Sequence, residues 1–289
     1  MFAEPQIGML PDGRRLHLNH GPIDLVIEAF GSRTQMEAAY QQAAEQFPDI
    51  LPTLVGELEK LRQPVAMSQW IPHGPVAVRM AGACWPHHDC FVTPMAAVAG
   101  SVADEMLAAL IAGRELDRAY VNNGGDIAFH LTPGASLTAG LVGDYHLPSI
   151  DGTCALSHDM PVRGIATSGW KGRSHSLGIA DSVTVLAANA AAADVAATLI
   201  ANAVDTDHPA IERVPASELD PDSDLGDRLV TTDVGDLERE TIQSALDGGV
   251  ARAEAMVRGG HISAAVMVLQ KEFRVVGSVP AGLLKGHAA

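Results

Sequence analysis

The chain has 289 residues, of which 47% are hydrophobic and 19% are charged. This composition is typical of globular proteins and excludes disorder as a description of the whole chain. A formal net charge of −16 disfavours nucleic acid as a partner, because a surface that binds a phosphate backbone needs an excess of Lys and Arg. The three cysteines form no CxxC pair and do not resemble the disulfide framework of a secreted protein.

The N-terminal sequence lacks the apolar stretch of a signal peptide, which predicts a cytoplasmic protein. Two alanine-rich stretches, 94–112 and 183–204, are interrupted by polar and charged residues such as Asp104 and Asp194. Neither is a convincing membrane-spanning helix, so we expect no membrane partner.

Apolar periodicity predicts both strands and helices in the first half of the chain. In chain order these are strands 14–19 and 22–29, helices 35–46 and 51–62, strand 75–80 and helix 95–113. The first of the helices has Thr34 as its expected N-terminal cap. The helix at 95–113 is rich in small residues, which indicates close packing against a neighbour.

Strands predominate in the second half, and residues 143–163 are predicted to be irregular. The predicted elements are strand 119–126 with a Gly-Gly turn, strands 127–131, 136–142, 164–169 and 182–188, helices 189–204 and 237–258, and strands 264–269 and 273–279. Asn189 is the expected N-terminal cap of helix 189–204. The pattern has no regular βαβ alternation and no repeat. It favours an α+β fold with mixed sheets and packed helices in one compact unit spanning residues 1–289.

The negative charge is concentrated in one segment. Residues 205–240 carry a net charge of −9 and three prolines, and they lack sustained apolar periodicity. This predicts a long acidic loop on the surface, with a flap over a binding site as the alternative.

Three features could carry chemistry, and the first is the pair Asp194 and Thr198 on the predicted helix 189–204. A spacing of four residues puts the carboxylate and the hydroxyl on one helix face, one turn apart. Two such oxygens suit a hard cation such as Mg²⁺, which prefers oxygen ligands and often shares them with substrate phosphates. The alternative is an ordinary exposed pair of helix residues.

The other two features are glycine-bearing turns. Asn122-Asn-Gly-Gly-Asp126 follows a strand, and its paired glycines would serve either a hairpin turn, which the pattern favours, or an anion-binding backbone. Ala166-Thr-Ser-Gly169 is followed by Lys171, Arg173 and His175. That basic corner suits a phosphate group, and a solvated turn is the alternative.

Taken in chain order, these motifs resemble those of the ApbE family, which includes FAD:protein FMN transferases. The resemblance rests on Val98-Ala-Gly-Ser-Val-Ala-Asp104, Val121-Asn-Asn-Gly-Gly-Asp-Ile127, Ala166-Thr-Ser-Gly169, and Ser182-Val-Thr-Val185 followed by Ala191-Ala-Ala-Asp-Val-Ala-Ala-Thr198. It covers residues 90–205 and fades outside them.

The resemblance implies a T-fold-related structure, FAD and Mg²⁺ as cofactors, and transfer of FMN to an acceptor protein. It places Mg²⁺ on Asp194 and Thr198, together with a backbone oxygen within 96–99. It assigns the flavin nucleotide to two sets of residues and makes Asp194 and His175 the catalytic candidates. The flavin-binding residues so implied are Gly124, Gly125, Asp126, Thr167, Ser168 and Gly169.

The sequence also departs from the family pattern. The Asp-Pro-x-Thr-Gly segment expected after the functional histidine is missing, and Ala99 stands where a lysine is expected. Three hypotheses follow. The leading one is a Mg²⁺-dependent FMN transferase or FAD pyrophosphate hydrolase. The second is a non-catalytic protein that binds a nucleotide or pterin-like ligand, and the third is a homo-oligomer with helical interfaces and no small-molecule site.

Overall fold

The structure is a computed structural model that describes residues 4–67, 70–141 and 152–278. Its strands are β1 (Gln6–Met9), β2 (Leu16–His20), β3 (Ile23–Gly31), β4 (Leu116–Asn123), β5 (Asp126–Leu131), β6 (Ser136–Leu141), β7 (Gly152–Ser157), β8 (Gly164–Ser168), β9 (Ser182–Ala187), β10 (Ile211–Pro215), β11 (Leu229–Val234), β12 (Ala264–Leu269) and β13 (Glu272–Gly277). Its α-helices are α1 (Arg33–Gln46), α2 (Ile50–Leu61), α3 (Pro75–Cys84), α4 (Val98–Ile111), α5 (Ala190–Ala203), α6 (Ala216–Leu219) and α7 (Arg239–Arg258).

The chain divides into two compact units, each built from several pieces of sequence. The first comprises 1–137, 157–165 and 189–194, and the second comprises 138–156, 166–188 and 195–289. Both units combine strands with helices, so the predicted α+β class is confirmed.

The first unit contains an antiparallel sheet with the strand order β1-β2-β3-β4-β5, and the first residues of β8 pair with β5. The predicted N-terminal hairpin is confirmed as β2 and β3, with Leu18 opposite Leu25 and Leu16 opposite Ile27. These four side chains are buried. They alternate along their strands with less buried residues, which is the period of two that a sheet with one face on the core requires.

Helices α1 and α4 cover the core side of this sheet, and α4 packs on β4 and β5. Among the described residues, only the segment Pro94–Ile111 is long and apolar enough to cross a membrane by length and composition. More than half of it is buried, and its helix also contacts α1 and α3. This is the position of a core helix. The expected cap of α1 is also corrected, because Ser32 and not Thr34 accepts the capping hydrogen bond from Gln35 N.

The predicted strand at 75–80 is wrong, because residues 75–84 form helix α3. Pro75 occupies the first turn, where proline's fixed φ is compatible with a helix and its missing N–H costs nothing. Val76, Ala77, Met80 and Cys84 are buried, a spacing of one helical face. The alternation of Val76 and Val78 was too short to distinguish the two periods.

The second unit has the strand order β8-β9-β12-β13, and α7 packs on β12 and β13. Strands β6 and β7 form a separate two-stranded sheet. The irregular structure predicted for 143–163 is therefore wrong over β7, while residues 142–151 lie outside the described residues. Val279, the last residue of the final predicted strand, also lies outside them.

The acidic segment 205–240 is not one continuous loop. It contains β10 and β11, which pair antiparallel with a register shift between Glu212 and Arg213. Val230 and Ala216 are buried, and Arg213 forms an ion pair with Asp205. The strands are short, and charged residues interrupt their apolar positions, so apolar periodicity could not reveal them.

Candidate functional site

The start of helix α5 is packed against the backbone of two other elements in the first unit. A Cβ atom on Gly100 of α4 would lie 2.3 Å from the carbonyl oxygen of Ala190, and one on Gly164 of β8 would lie 2.2 Å from Ala190 N. No side chain fits at either distance, so glycine is required for this approach. The close packing expected from the small residues of α4 is confirmed here.

Side chains satisfy the first backbone N–H groups of α5. The two carboxylate oxygens of Asp104 accept hydrogen bonds from Ala190 N at 3.0 Å and from Ala191 N at 2.9 Å. Asn189 Oδ1 accepts one from Ala192 N at 2.8 Å, which confirms Asn189 as the predicted cap. Three donors that a helix cannot pair internally are thus paired.

Asp194, near the start of the same helix, bonds back to α4. Its Oδ2 accepts a hydrogen bond from Gly100 N at 3.0 Å, and its carboxylate also accepts one from the backbone N–H of Ala99. The carbonyl oxygen of Ala99 accepts a hydrogen bond from Asn123 Nδ2 at 3.0 Å. Asn123 ends β4, so α4, α5 and the β4–β5 hairpin meet at one peptide group. This carbonyl belongs to the range 96–99 in which a metal-binding oxygen was expected.

The electrostatics of Asp194 are unfavourable for a charged carboxylate. Burial raises the pKa of Asp194 well above its ordinary value, and the negative charge of Asp126 raises it further. The hydrogen bonds from Gly100 and Ala99 lower the pKa and offset part of this effect, while Asp104 raises it again. The residue nevertheless keeps some contact with solvent. The structure therefore brings together two predicted site residues, Asp126 and Asp194, as a pair of like charges.

Asp126 follows the Gly-Gly turn that the sequence left open between two interpretations. Gly124 and Gly125 have φ values of 63° and 118° and connect β4 to β5, with Asn123 opposite Asp126. This is a two-residue hairpin turn, for which positive φ is required. Gly125 N donates to Asn122 Oδ1 at 2.8 Å. The turn is confirmed, while binding of an anion by Gly124 and Gly125 stays a prediction.

The remaining predicted residues belong to the second unit. Thr167 is exposed and its hydroxyl lies 2.9 Å from that of Thr184, while Ser168 is partly buried and Gly169 is buried. His175 is exposed in the turn that follows. Thr198 lies one helical turn after Asp194 on α5 and is partly buried.

The basic corner is partly neutralised within the second unit. Lys171 Nζ lies 3.1 Å from Asp181 Oδ1, which also accepts a hydrogen bond from Trp170 Nε1 at 3.1 Å. The other carboxylate oxygen of Asp181 accepts one from Gln270 N at 2.7 Å. Lys171 therefore has a protein carboxylate as its partner, whereas Arg173 and His175 are exposed.

The family follows from a comparison with known sequences. A family model described as "AbpE bacteria" matches residues 7–275. The chain belongs to this family. The resemblance to ApbE proteins that the motifs indicated is confirmed, and the match extends well beyond 90–205.

Curated relatives of this AbpE-family chain include three archaeal proteins named UPF0280 protein. That of Methanothermobacter thermautotrophicus is 39% identical over 142 residues, which are 48% of this chain and 51% of the relative. That of Methanopyrus kandleri is 40% identical over 120 residues (41% and 46%), and that of Methanothrix thermoacetophila is 39% identical over 137 residues (46% and 54%). The chain thus spans about half the length of the curated relatives it matches.

Two solved structures are similar to the AbpE-family chain over nearly its whole length, but only weakly. The apo flavinyl transferase ApbE of Pseudomonas stutzeri has 12% identity and a TM-score of 0.37, covering 97% of this chain and 95% of that one. A mutant of the flavin transferase ApbE of Vibrio cholerae has 12% identity and a TM-score of 0.39, covering 96% and 98%. At these values the two structures do not define the geometry of the present site.

Asp126 and Asp194 lie close enough for the charge of Asp126 to raise the pKa of Asp194, and carboxylate oxygens are ligands that a hard divalent cation prefers. Among the described residues there is no group of three or more His, Cys, Asp or Glu side chains placed to hold a metal ion. Mg²⁺ does not need one, because it commonly binds to one or two carboxylates and completes its shell with water and substrate phosphates. A cation beside Asp194 would also compensate the like charge of Asp126, which now raises the pKa of Asp194.

In the metal-free protein, we expect the contribution of Asp194 to stability to fall as pH rises above the ordinary aspartate pKa of 3.8. Burial raises the folded-state pKa of Asp194, so the folded protein keeps a proton that the unfolded chain has already released. This contribution is most favourable below the ordinary pKa and is lost as pH rises through the folded-state pKa.

The measurement is urea unfolding at a series of pH values in the presence of a chelator, for the wild type and for Asp194→Asn. The variant should show a smaller loss of unfolding free energy across this range. Identical pH dependence in the two proteins would contradict the raised pKa of Asp194.

The sequence analysis assigned no role to two residues of this site, Asp104 and Asn123. Both are buried polar residues. Their partners are the α5 N-terminus and the Ala99 carbonyl, which are remote in sequence. Both residues lie in the motifs that resemble the ApbE family, and the spacing of four between Gly100 and Asp104 puts those two on one helix face. Neither signal indicates what the two side chains bind.

Proposed function

We propose that this chain binds FAD and, with Mg²⁺, cleaves the FAD pyrophosphate so that FMN passes to an acceptor hydroxyl or to water. The observation that carries the proposal is the carboxylate pair Asp126 and Asp194. Burial and like charge raise the pKa of Asp194, and perturbed carboxylates of this kind are common at catalytic and metal sites. Membership of the AbpE family supports flavin as the ligand.

In this proposal Asp194 and Thr198 hold the metal, and Asp126 lies beside Asp194. When bound, Mg²⁺ supplies positive charge against the pyrophosphate and its leaving group. Gly124 and Gly125 present their backbone to the flavin nucleotide.

We also propose Thr167, Ser168 and Gly169 as flavin-binding residues, on the resemblance of their motif to the ApbE family. The oxygen of the acceptor attacks the FMN phosphorus, the bond from that phosphorus to the bridging oxygen breaks, and AMP leaves. His175 takes the proton of the attacking hydroxyl.

The test is to mix purified protein with FAD, with and without Mg²⁺, and to follow both flavin binding and AMP release. The proposal expects flavin binding in both samples and AMP only with Mg²⁺. Absence of FAD binding would refute every flavin hypothesis. Tight FAD binding without AMP release would refute FAD pyrophosphate hydrolysis and favour the binding protein. Tight FAD binding without AMP release when a threonine-containing acceptor peptide is also added would refute FMN transfer to that acceptor.

A non-catalytic binding protein is the second candidate, and a specific observation favours it. Lys171 of the basic corner is paired with Asp181 at 3.1 Å, and the Asp-Pro-x-Thr-Gly segment of the transferases is missing from this chain. In this alternative the chain keeps a nucleotide or pterin-like ligand and performs no transfer.

Replacing Lys171 by methionine is expected to weaken FAD affinity about tenfold, the effect of losing one hydrogen bond to a charged group. Asp181 would keep its bonds from Trp170 and Gln270, so the variant should fold. The matched control is Lys60→Met on the exposed side of α2, which should bind FAD like the wild type. FAD affinity is measured by equilibrium dialysis. If Lys171→Met and the wild type bind FAD equally well, Lys171 does not contact FAD and serves only as the ion-pair partner of Asp181.

The proposal includes a cytoplasmic location and an acceptor protein or water as the second substrate. A homo-oligomer with helical interfaces stays the third hypothesis. Size-exclusion chromatography with light scattering tests it, and a monomer at micromolar concentration would refute it.

A further inference from the structure

Two helix N-termini in the first unit cap each other. Asp104 of α4 accepts hydrogen bonds from Ala190 and Ala191, the first two residues of α5. Asp194 of α5 accepts hydrogen bonds from Ala99 and Gly100, the second and third residues of α4. Each aspartate thus pairs backbone donors that the other helix leaves unpaired.

Neither helix has a residue of its own that could accept these hydrogen bonds from the same backbone N–H groups. The residue before α4 is Ala97, which provides no side-chain cap. Asn189, before α5, bonds to Ala192 and leaves Ala190 and Ala191 to Asp104. Carboxylates at both helix N-termini are also favoured by the helix dipoles.

Helices α4 and α5 are so close at Gly100 that α5 cannot move nearer to α4 to compensate for a lost hydrogen bond. The hypothetical Cβ of Gly100 would lie 2.3 Å from Ala190 O, so the backbones are already in contact. Asp104 and Gly100 are one turn apart on α4 and face the same turn of α5. A change in how Asp104 holds Ala190 and Ala191 must therefore alter where the following turn, which carries Asp194, sits against Gly100.

We propose that Asp104 is a positioning residue, which fixes the α5 N-terminus on α4 and thereby aims the carboxylate of Asp194. Asp104 itself is 9% exposed, and both of its oxygens are occupied by backbone donors. It has no direct part in binding the metal. This inference rests on the proposed function in so far as Asp194 holds a divalent cation, and residues that orient a metal ligand typically change affinity by about 10-fold to 100-fold when they are replaced.

The test compares Asp104→Ala and Asp104→Asn with the control Glu105→Gln. Glu105 is the neighbouring carboxylate on α4 and pairs with Arg79 at 2.8 Å, so its replacement removes a charge without touching α5. Binding of Mn²⁺ alone is measured by electron paramagnetic resonance, and amide hydrogen exchange is measured by NMR at Gly100 and, as a core reference, at Ile27.

Asp104→Ala should bind Mn²⁺ about tenfold more weakly than the wild type. Asp104→Asn should lie in between, because its amide oxygen still accepts one bond, and Glu105→Gln should match the wild type. Exchange at Gly100 should accelerate more in Asp104→Ala than exchange at Ile27. A purely structural role would accelerate both equally and leave the Mn²⁺ affinity of the folded protein unchanged.

Unchanged Mn²⁺ affinity together with unchanged relative exchange at Gly100 would overturn the proposal. If Asp104→Ala does not fold, the comparison of Asp104→Asn with Glu105→Gln decides in the same way. If the wild type itself binds no Mn²⁺, the metal part of the proposed function fails, and exchange at Gly100 alone then supports or overturns the positioning role.

Discussion

Asp194→Asn should lose Mg²⁺-dependent release of AMP from FAD by about a thousandfold. A metal-held charge contributes several kcal/mol to a transition state, and each 1.4 kcal/mol is about a factor of ten in rate. Asparagine has nearly the same shape, and its amide oxygen can still accept the hydrogen bond from Gly100 N that Asp194 accepts at 3.0 Å. Because asparagine replaces one of the two accepting oxygens with an amide NH₂, and Ala99 N–H also bonds to this carboxylate, urea unfolding of the variant is measured alongside. A wild-type midpoint assigns the loss to the missing negative charge.

The matched control is Asp117→Asn, an exposed aspartate on β4 of the same unit, which should release AMP like the wild type. AMP is measured by chromatography over a series of Mg²⁺ concentrations. Wild-type AMP release by Asp194→Asn would remove Asp194 from the catalytic machinery. Equal losses in both variants would show that the assay responds to net charge and not to this site.

Gly100→Ala should destabilise the protein by about 3 kcal/mol, the upper end of the usual cost of overpacking. The new methyl group would lie 2.3 Å from Ala190 O and 2.8 Å from Ala191 N. Those atoms are backbone and cannot rotate away, so α4 and α5 would have to separate. Separation would also break the bond from Gly100 to Asp194, so Mg²⁺-dependent activity should fall in whatever protein remains folded.

Gly56→Ala on α2 is the control for this substitution. A Cβ on Gly56 would meet nothing within 4 Å, and alanine is favoured over glycine in a helix by up to about 1 kcal/mol. The two variants should therefore move the urea midpoint in opposite directions. A Gly100→Ala protein as stable as the wild type would contradict the backbone contact between α4 and α5.

Local patterns in the sequence were sufficient for much of the fold. The alternation of Leu16, Leu18, Leu25 and Ile27 predicted β2 and β3, and Asn189 before an alanine run predicted the cap and start of α5. These features depend on neighbours within a few residues. The strand predicted at 75–80 was wrong because Pro75-Val-Ala-Val-Arg-Met80 fits both periods over six residues. The structure separates the two periods, since Ala77 is buried and Val78 is exposed.

The candidate site could be predicted only in part, because its contacts are remote in sequence. Asp126 and Asp194 were identified from motif resemblance, and the structure brings them together in the first unit. No local rule indicates that Asp104 would bind the start of α5, 86 and 87 residues later. The ion pair of Lys171 with Asp181 was not predicted either, because no local pattern distinguishes Asp181 from the other acidic residues of this chain.

The bonds between α4 and α5 also determine when the candidate site can form. Asp194 and Gly100 are 94 residues apart, and closing so long a loop costs entropy before any contact is gained. A topology rich in contacts of this range folds more slowly than one made of local contacts. During synthesis Asp104 leaves the ribosome well before its partners, and its carboxylate stays hydrated until α5 arrives. A chain that stops before α5 lacks both Asp194 and the backbone donors that pair Asp104, so it has no site at all.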